Sequence, residues 1–333
     1  MAMWGSVARG RRAWLLCGGA WVLGSGLSLP ARATTVFHLG HQFPQGSIPD
    51  QAAARFAEGV AQRSQGALRV MVHPAAAFGD ERDHIALLRK GQLDFAVTGD
   101  LVVSSLSDRY LVLNLPFLYR DAAHALAVYD GAPGQAMRAE LGRRGLVALS
   151  WHFVGTRMLT ANRPIHRLAD LAGLNLRLPQ DATWIAAWRA LGAAPRQVQF
   201  TDLPAALKVG QVDAQENPPN FIRAGKLYEN QKFLMTTNHM PQRQFVFGAE
   251  GVWSRLGSAQ RRLLQAAATE ASQFAVAVAQ REHQRDLTWL VTEGGMSLVQ
   301  FDAQGVAQAL QRLPRDLAGA EGEALVAQIR AIR

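Results

Sequence analysis

Two arginines and an amide in residues 155–220 of this 333-residue chain stand where ordinary surface charge is not expected. Arg177 closes the alternating segment Gly173-Leu174-Asn175-Leu176-Arg177-Leu178-Pro179, which reads as a short strand. A guanidinium carried inward by a strand has five donors to satisfy and cannot titrate away, so it requires an anion. A carboxylate fits that fork in two parallel hydrogen bonds. Arg157, in Gly155-Thr156-Arg157-Met158, offers a second cation, and Asn217, held by Pro218 and Pro219, offers a neutral amide. The alternative is that the arginines pair with Asp170, Asp202 or Asp213 on solvated edges. Trp184 and Trp188, four apart on a helix expected over Asp181 to Leu191, share a face. Trp184, only seven residues past Arg177, lines either that site or the core.

The elements that position these residues follow from periodicity. Thr35 to Gly40 alternates like a strand, and His41-Gln42-Phe43-Pro44-Gln45-Gly46 is the loop after it. Pro49 to Ser64 reads as a helix with Ala53, Phe56, Ala57 and Val60 on one side, Leu68 to Val72 as a strand, Glu81 to Lys90 as a helix and Gln92 to Val97 as a third strand. The order β-α-β-α-β implies a parallel sheet covered by helices, with ligands at the carboxyl ends of its strands. His38 and His41 have a metal-like count, but residues three apart on a strand point to opposite faces, so no shared metal is expected. Leu88-Arg89-Lys90-Gly91-Gln92-Leu93-Asp94 recurs as Leu207-Lys208-Val209-Gly210-Gln211-Val212-Asp213, which points to two similar lobes with the ligand between them. Leu146 to Phe153 runs as a strand into Gly155 and is a candidate crossover, Arg243 to Val252 a candidate return. Ser258 to about Glu293 forms one helical pattern long enough to brace both lobes, and residues 303–333 read as one or two further helices.

Composition narrows the function classes. Residues 1–33 read as a secretory signal: Arg9, Arg11 and Arg12, an apolar stretch broken by glycines, then Ala31-Arg32-Ala33, with cleavage expected after about Ala33 into the periplasm. The Arg11-Arg12 pair leaves twin-arginine export open. These residues hold four arginines and no acid, so the formal charge of +9 falls to about +5 for the remainder. Its basic residues are scattered, without the runs or aromatic interleaving of a nucleic-acid surface. Cys17, the only cysteine, lies in the signal, so neither disulfides nor Cys-ligated metals nor Cys nucleophiles are expected after export. No nucleophile elbow, His-Glu-x-x-His helix or P-loop is present, so no enzyme and no cofactor are expected.

The segments Ser64-Gln65-Gly66, His73-Pro74 through Phe78-Gly79-Asp80, Gly91-Gln92-Leu93-Asp94, Leu115-Pro116-Phe117, Gly155-Thr156-Arg157, Asp170 through Arg177, and Val212 through Pro218 occur in order. Together they resemble the DctP-type solute-binding proteins of TRAP transporters, the tripartite periplasmic systems for organic acids, over roughly Val36 to Met296. The resemblance implies a periplasmic binding protein-like α/β fold of two lobes with a ligand cleft between them and a long helix bracing both. One lobe would comprise residues 34–154 plus about 243–282, the other 155–242 plus about 283–333. It further implies that Arg177 makes a bidentate salt bridge to a ligand carboxylate, that Arg157 is a second cation beside it, that Asn217 hydrogen-bonds it and that Phe200 packs on the ligand body. His41, Gln42 and Asp80 occupy first-lobe positions that often reach the ligand. Sialic-acid-binding members carry a Glu and an Arg where this chain has Thr98-Gly99-Asp100-Leu101-Val102-Val103, which points to smaller acids: C4-dicarboxylates, sugar acids or aromatic acids. Partners would be the TRAP membrane subunits, which read closure of the lobes; another transporter, a sensor or a periplasmic hydrolase are the competing readings.

Overall fold

The computed structural model describes residues 34–333; the expected signal segment, its cleavage point and Cys17 lie outside the described residues. One mixed sheet of nine strands organises the fold. Strands β1 (Thr35–Gly40), β2 (Leu68–His73) and β3 (Phe95–Thr98) lie in the order β2-β1-β3 and are parallel, with the helices Ile48–Arg63 and Glu81–Arg89 as crossovers. Next along the chain come β4 (Leu146–Ala161), then β5 (Asn175–Leu178), β6 (Ala194–Gln197) and β7 (Ala214–Asn217), the last three parallel in the order β7-β5-β6. The two groups of three therefore share one connectivity. The repeated heptapeptide occupies the same place in each: Gly91 and Gly210 both end a helix with positive φ (66° and 70°). Asp94 N–H then bonds His38 O on β1 at 3.2 Å, as Asp213 N–H bonds Asn175 O on β5 at 2.9 Å.

The parallel groups are joined by two long antiparallel strands, which the expectation of a parallel sheet did not contain. β4 runs unbroken past Gly155, and β8 (Phe233–Ala249) lies against it along its whole length. β8 pairs β3 near one end, and β4 pairs β7 near the other. A short β9 (Ser297–Val299) adds to β8. The register of β4 on β8 slips between Phe153 and Gly155, where Gly155 has φ +132°. A β-carbon there would stand 3.1 Å from Pro218 Cβ. Only glycine accepts that backbone at that approach.

The helix Ser258–Thr292 runs 35 residues, about 52 Å at 1.5 Å per residue, so it reaches both groups. Ala267 packs on Gly59 of the helix Ile48–Arg63, and Asp286 pairs with Arg223 of the helix Pro219–Ala224 at 2.7 Å. After β9 the chain stays with the second group, Asp302 N–H bonding His166 O at 2.7 Å. The final helix, Leu313–Ala331, breaks at Ala318 and Gly319 and returns to the first group: His124 Nε2 lies 3.0 Å from Ile329 O. Residues 283–333 thus contact both groups. No helix among the described residues is long and apolar enough to cross a membrane.

Gly155→Ala tests the strained crossover: we expect a loss of about 1–3 kcal/mol in urea unfolding, and an unchanged midpoint would contradict this reading of the slip.

Candidate functional site

The carboxyl ends of β1, β3, β5 and β7 all face one cavity between the two groups of strands. Gln42 follows β1, Asp100 follows β3, Arg177 lies on β5 and Asn217 ends β7. Phe43 and Phe221, with ring centroids 5.4 Å apart, close one side. The cavity is about 40 Å³, close to one or two water molecules. Outside its lining, other contacts join the two groups: Asn114 Nδ2 donates to Asp181 Oδ2 at 2.9 Å, Thr183 Oγ1 donates to Leu111 O at 3.1 Å, and Arg82 donates to the carbonyl of Gln180. The two groups are therefore held closed over the site.

Two buried guanidinium groups, Arg157 and Arg177, line this space, and a third, Arg243, is bonded to Asp100 of its lining; Arg157 and Arg243 are already paired with carboxylates. Arg157 on β4 donates through Nε and Nη2 to the Glu216 carboxylate (Nη2 to Oε1 2.7 Å), through Nη2 also to Glu216 O at 2.6 Å and Asn217 Oδ1 at 3.2 Å, and through Nη1 to Gln242. Its plane lies over Trp184, 4.7 Å from the centroid. Burial would raise Glu216, but Arg157 and His239 outweigh it and bring it down to about 2. His239 is itself lowered, by burial first, so it is neutral: Nε2–H donates to Glu216 at 2.9 Å while Nδ1 accepts from Thr237 Oγ at 2.9 Å. Arg243 on β8, fully buried, bonds Asp100 through Nε and engages Leu113 O, Tyr119, Tyr129 and Asn114 with the rest. Gln242 links the pairs, accepting from Arg157 and donating to Asp100 Oδ2 at 3.2 Å.

Arg177 is different. It is 3% exposed, yet only Nε is engaged, donating to Val198 O at 2.8 Å, and it forms no ion pair among the described residues. Burial lowers it to about 10, with Glu216 pulling the other way, so it stays charged at neutral pH. Phe200 lies beneath it at 5.9 Å.

Glu81, which the sequence reading did not single out, also lines the cavity. Burial, with Asp100 and Asp80 adding to it and a bond from Gly99 N–H at 2.6 Å opposing it, pushes its carboxyl up to about 8. It is thus a neutral acid at pH 7. Trp184 Nε1 is buried with no hydrogen-bond partner, an orphan donor at the same cavity.

Of the eight residues singled out from sequence, six line this cavity: Arg177, Arg157, Asn217, Phe200, Trp184 and Gln42. Arg157 is there with its charge engaged, and Asn217 bonds Arg157 and, through Nδ2, Gln215 Oε1 at 2.6 Å. The other two turn elsewhere. His41 is buried toward Asp50, Nε2 to Oδ1 3.2 Å. Asp80 caps the helix Glu81–Arg89, Oδ1 accepting from Arg82 N at 2.8 Å and Asp83 N at 3.1 Å, so the next residue faces the cavity instead. Trp188 packs edge-on against His239 at 5.1 Å, in the core.

Residues 39–319 match the sequence model of bacterial extracellular solute-binding protein family 7, DctP. The chain belongs to that family. This solute-binding protein is 27% identical over 301 residues to the sialic acid-binding periplasmic protein SiaP of Vibrio cholerae, covering 90% of this chain and 94% of that one. It is 28% identical over 291 residues to the 2,3-diketo-L-gulonate-binding periplasmic protein YiaO of Escherichia coli, 87% and 89% of the two chains. It is 32% identical over 281 residues to the y4mM protein of Sinorhizobium fredii, of whose length it spans about half (84% of this chain, 52% of that one). Among solved structures, a TRAP periplasmic solute-binding protein of Polaromonas bound to D-erythronate superposes with a TM-score of 0.85 at 28% identity, covering 90% and 99% of the chains. One from Bordetella, with density assigned to pantoate, gives 0.85 at 29% identity, covering 90% and 100%.

The raised Glu81 carries a sign that can be checked. Its folded value lies above its unfolded one, so its contribution to stability is present at acid pH and is lost as pH rises from about 4.5 toward about 8. Glu81→Gln should therefore gain stability over the parent, by about 3 kcal/mol at pH 7 and little at pH 4.5; equal gains at both pH values in denaturant titrations would contradict a neutral buried Glu81.

Proposed function

We propose that this protein captures a small hydroxylated monocarboxylic acid in the cavity and delivers it to the membrane subunits of a TRAP transporter. The observation that carries this is Arg177: a buried cation with two uncommitted nitrogens and no counter-ion among the described residues. With Arg157 cancelled by Glu216, Arg243 by Asp100, and Glu81 neutral, the cavity keeps one positive charge. It therefore favours one carboxylate, received by the Arg177 fork in two parallel bonds. Glu81 O–H and Trp184 Nε1–H supply donors for hydroxyl or carboxylate oxygens, and Phe200 an apolar floor. Relatives that bind D-erythronate and 2,3-diketo-L-gulonate support hydroxylated acids. A dicarboxylate would bring a second charge against an acid that burial holds neutral.

Residues 34–154 would form one lobe and 155–242 the other, hinged where β4 and β8 pass between them. An open form would admit the acid. Closure would then be favoured by contacts only the closed form makes to it, and the membrane partner would read that closed surface. Export with cleavage after Ala33 fits the extracellular family, and no turnover or cofactor belongs to this reading.

In isothermal calorimetry, Arg177→Lys should lower affinity for the bound acid by about 30-fold or more, as for a charge-paired group in a desolvated cleft, with an unchanged circular dichroism spectrum. Retained affinity would overturn the clamp. In a thermal-shift panel, C4–C6 hydroxy monoacids should raise Tm more than succinate; the reverse order would overturn the single-charge reading while leaving the clamp standing.

A further inference from the structure

The face of the sheet edge at β1 and β2 carries a second constellation, outside the cavity. Parallel pairing places His38 opposite Met71, and Gly40 opposite His73. Side chains alternate along a strand, so Met71 and His73, two apart, share a face, and His38 shares it as the partner of Met71. His38 is exposed, as Met71 is at 51%. His38 Nδ1 lies 2.9 Å from His73 Nε2, with ring centroids 5.2 Å apart and stacked. Neighbouring groups hold the arrangement: Asp94 Oδ2 accepts from His38 N at 2.8 Å, and Phe78 stands edge-on to His73 at 4.8 Å. His41, three residues on from His38, is buried on the other side of the strand and takes no part.

Two ring nitrogens at this distance share one proton, since only one can donate to the other. A transition ion replaces such a proton with little movement. Metal–imidazole bonds of about 2.0 Å put two nitrogens on one ion about 3–4 Å apart, against the 2.9 Å found here. We propose that His38, His73 and Met71 form a binding site for a soft transition ion, Cu(I) foremost, through two imidazole nitrogens and a thioether. The thioether sets the preference: soft sulfur selects Cu(I), whereas imidazole alone also suits Zn(II) and Cu(II). Among the described residues no cluster of three or more His, Cys, Asp or Glu is placed to hold a metal, so a titration is not masked by such a site.

The test is competition between the purified protein and a chromogenic Cu(I) chelator under reducing, anaerobic conditions, with Zn(II) titrated in parallel. One equivalent of Cu(I) should transfer to the protein. His38→Gln and His73→Gln should each weaken it by at least about tenfold, a factor that even outer-shell changes produce at metal sites. Met71→Leu should weaken Cu(I) while leaving Zn(II) affinity within about twofold, because Zn(II) gains little from a thioether. Affinity for the organic acid should be unchanged in all three, since none lines the cavity. No Cu(I) transfer, transfer indifferent to either histidine, or Cu(I) affinity unaffected by Met71→Leu would each overturn the site.

Discussion

Charge at the cleft is unbalanced by one. Three buried guanidinium groups meet two carboxylates in direct contact with them: Arg157 and His239 bring Glu216 down, while at Asp100 burial pushes the carboxyl up and the touching Arg243 opposes it; the third acid, Glu81, is kept neutral by its surroundings. Removing one partner from a buried ion pair costs about 3–5 kcal/mol, so neither Arg157 nor Arg243 can release its acid to receive a ligand cheaply. Arg177 has nothing to release. Its charge survives burial because Glu216, though not in contact, offsets part of the desolvation and of the repulsion from Arg157.

That imbalance depends on how the sheet is built. β4 delivers Arg157 and β8 delivers Gln242 and Arg243, so the paired arginines sit on the strands that pass between the two groups, and each group sends one acid to meet them: Glu216 from β7 and Asp100 from the segment after β3. Gln242 ties the pairs together, its two amide ends serving an arginine on one side and an aspartate on the other. The uncommitted groups, Arg177, Glu81 and Trp184, lie on the flanking elements. The polar seam along β4 and β8 thus leaves the terminal nitrogens of Arg177, the carboxyl of Glu81 and the indole of Trp184 at the cavity between the groups.

Local elements were legible because each obeyed one period or one capping rule: β1 ends where its alternation ends, and Gly91 and Gly210 mark equivalent helix ends. Arg177 was legible because a lone cation on an apolar strand is costly to bury unless an anion comes to meet it. The partners of Arg157 were not. Asp170, Asp202 and Asp213 were nearer guesses than Glu216, whose approach depends on the antiparallel pairing of β4 with β7 across some sixty residues. Arg243 read only as the first residue of a candidate return strand, because Asp100 lies 143 positions away. Glu81 hid beside a better N-cap. Asp80 follows Gly79 and precedes a helix, and a capping carboxylate turns back on its own backbone, so the adjacent acid was the one free to face the ligand space. That signal was in the sequence and pointed one residue further on.

The most direct measurement is a crystal structure of the protein with a hydroxylated monocarboxylic acid in the cleft. Both carboxylate oxygens should lie about 2.7–2.9 Å from the two terminal nitrogens of Arg177, with the Arg157–Glu216 pair intact behind them. A carboxylate seated on Arg157 with Glu216 displaced, or one that leaves the Arg177 nitrogens without an anion, would contradict the arrangement proposed here.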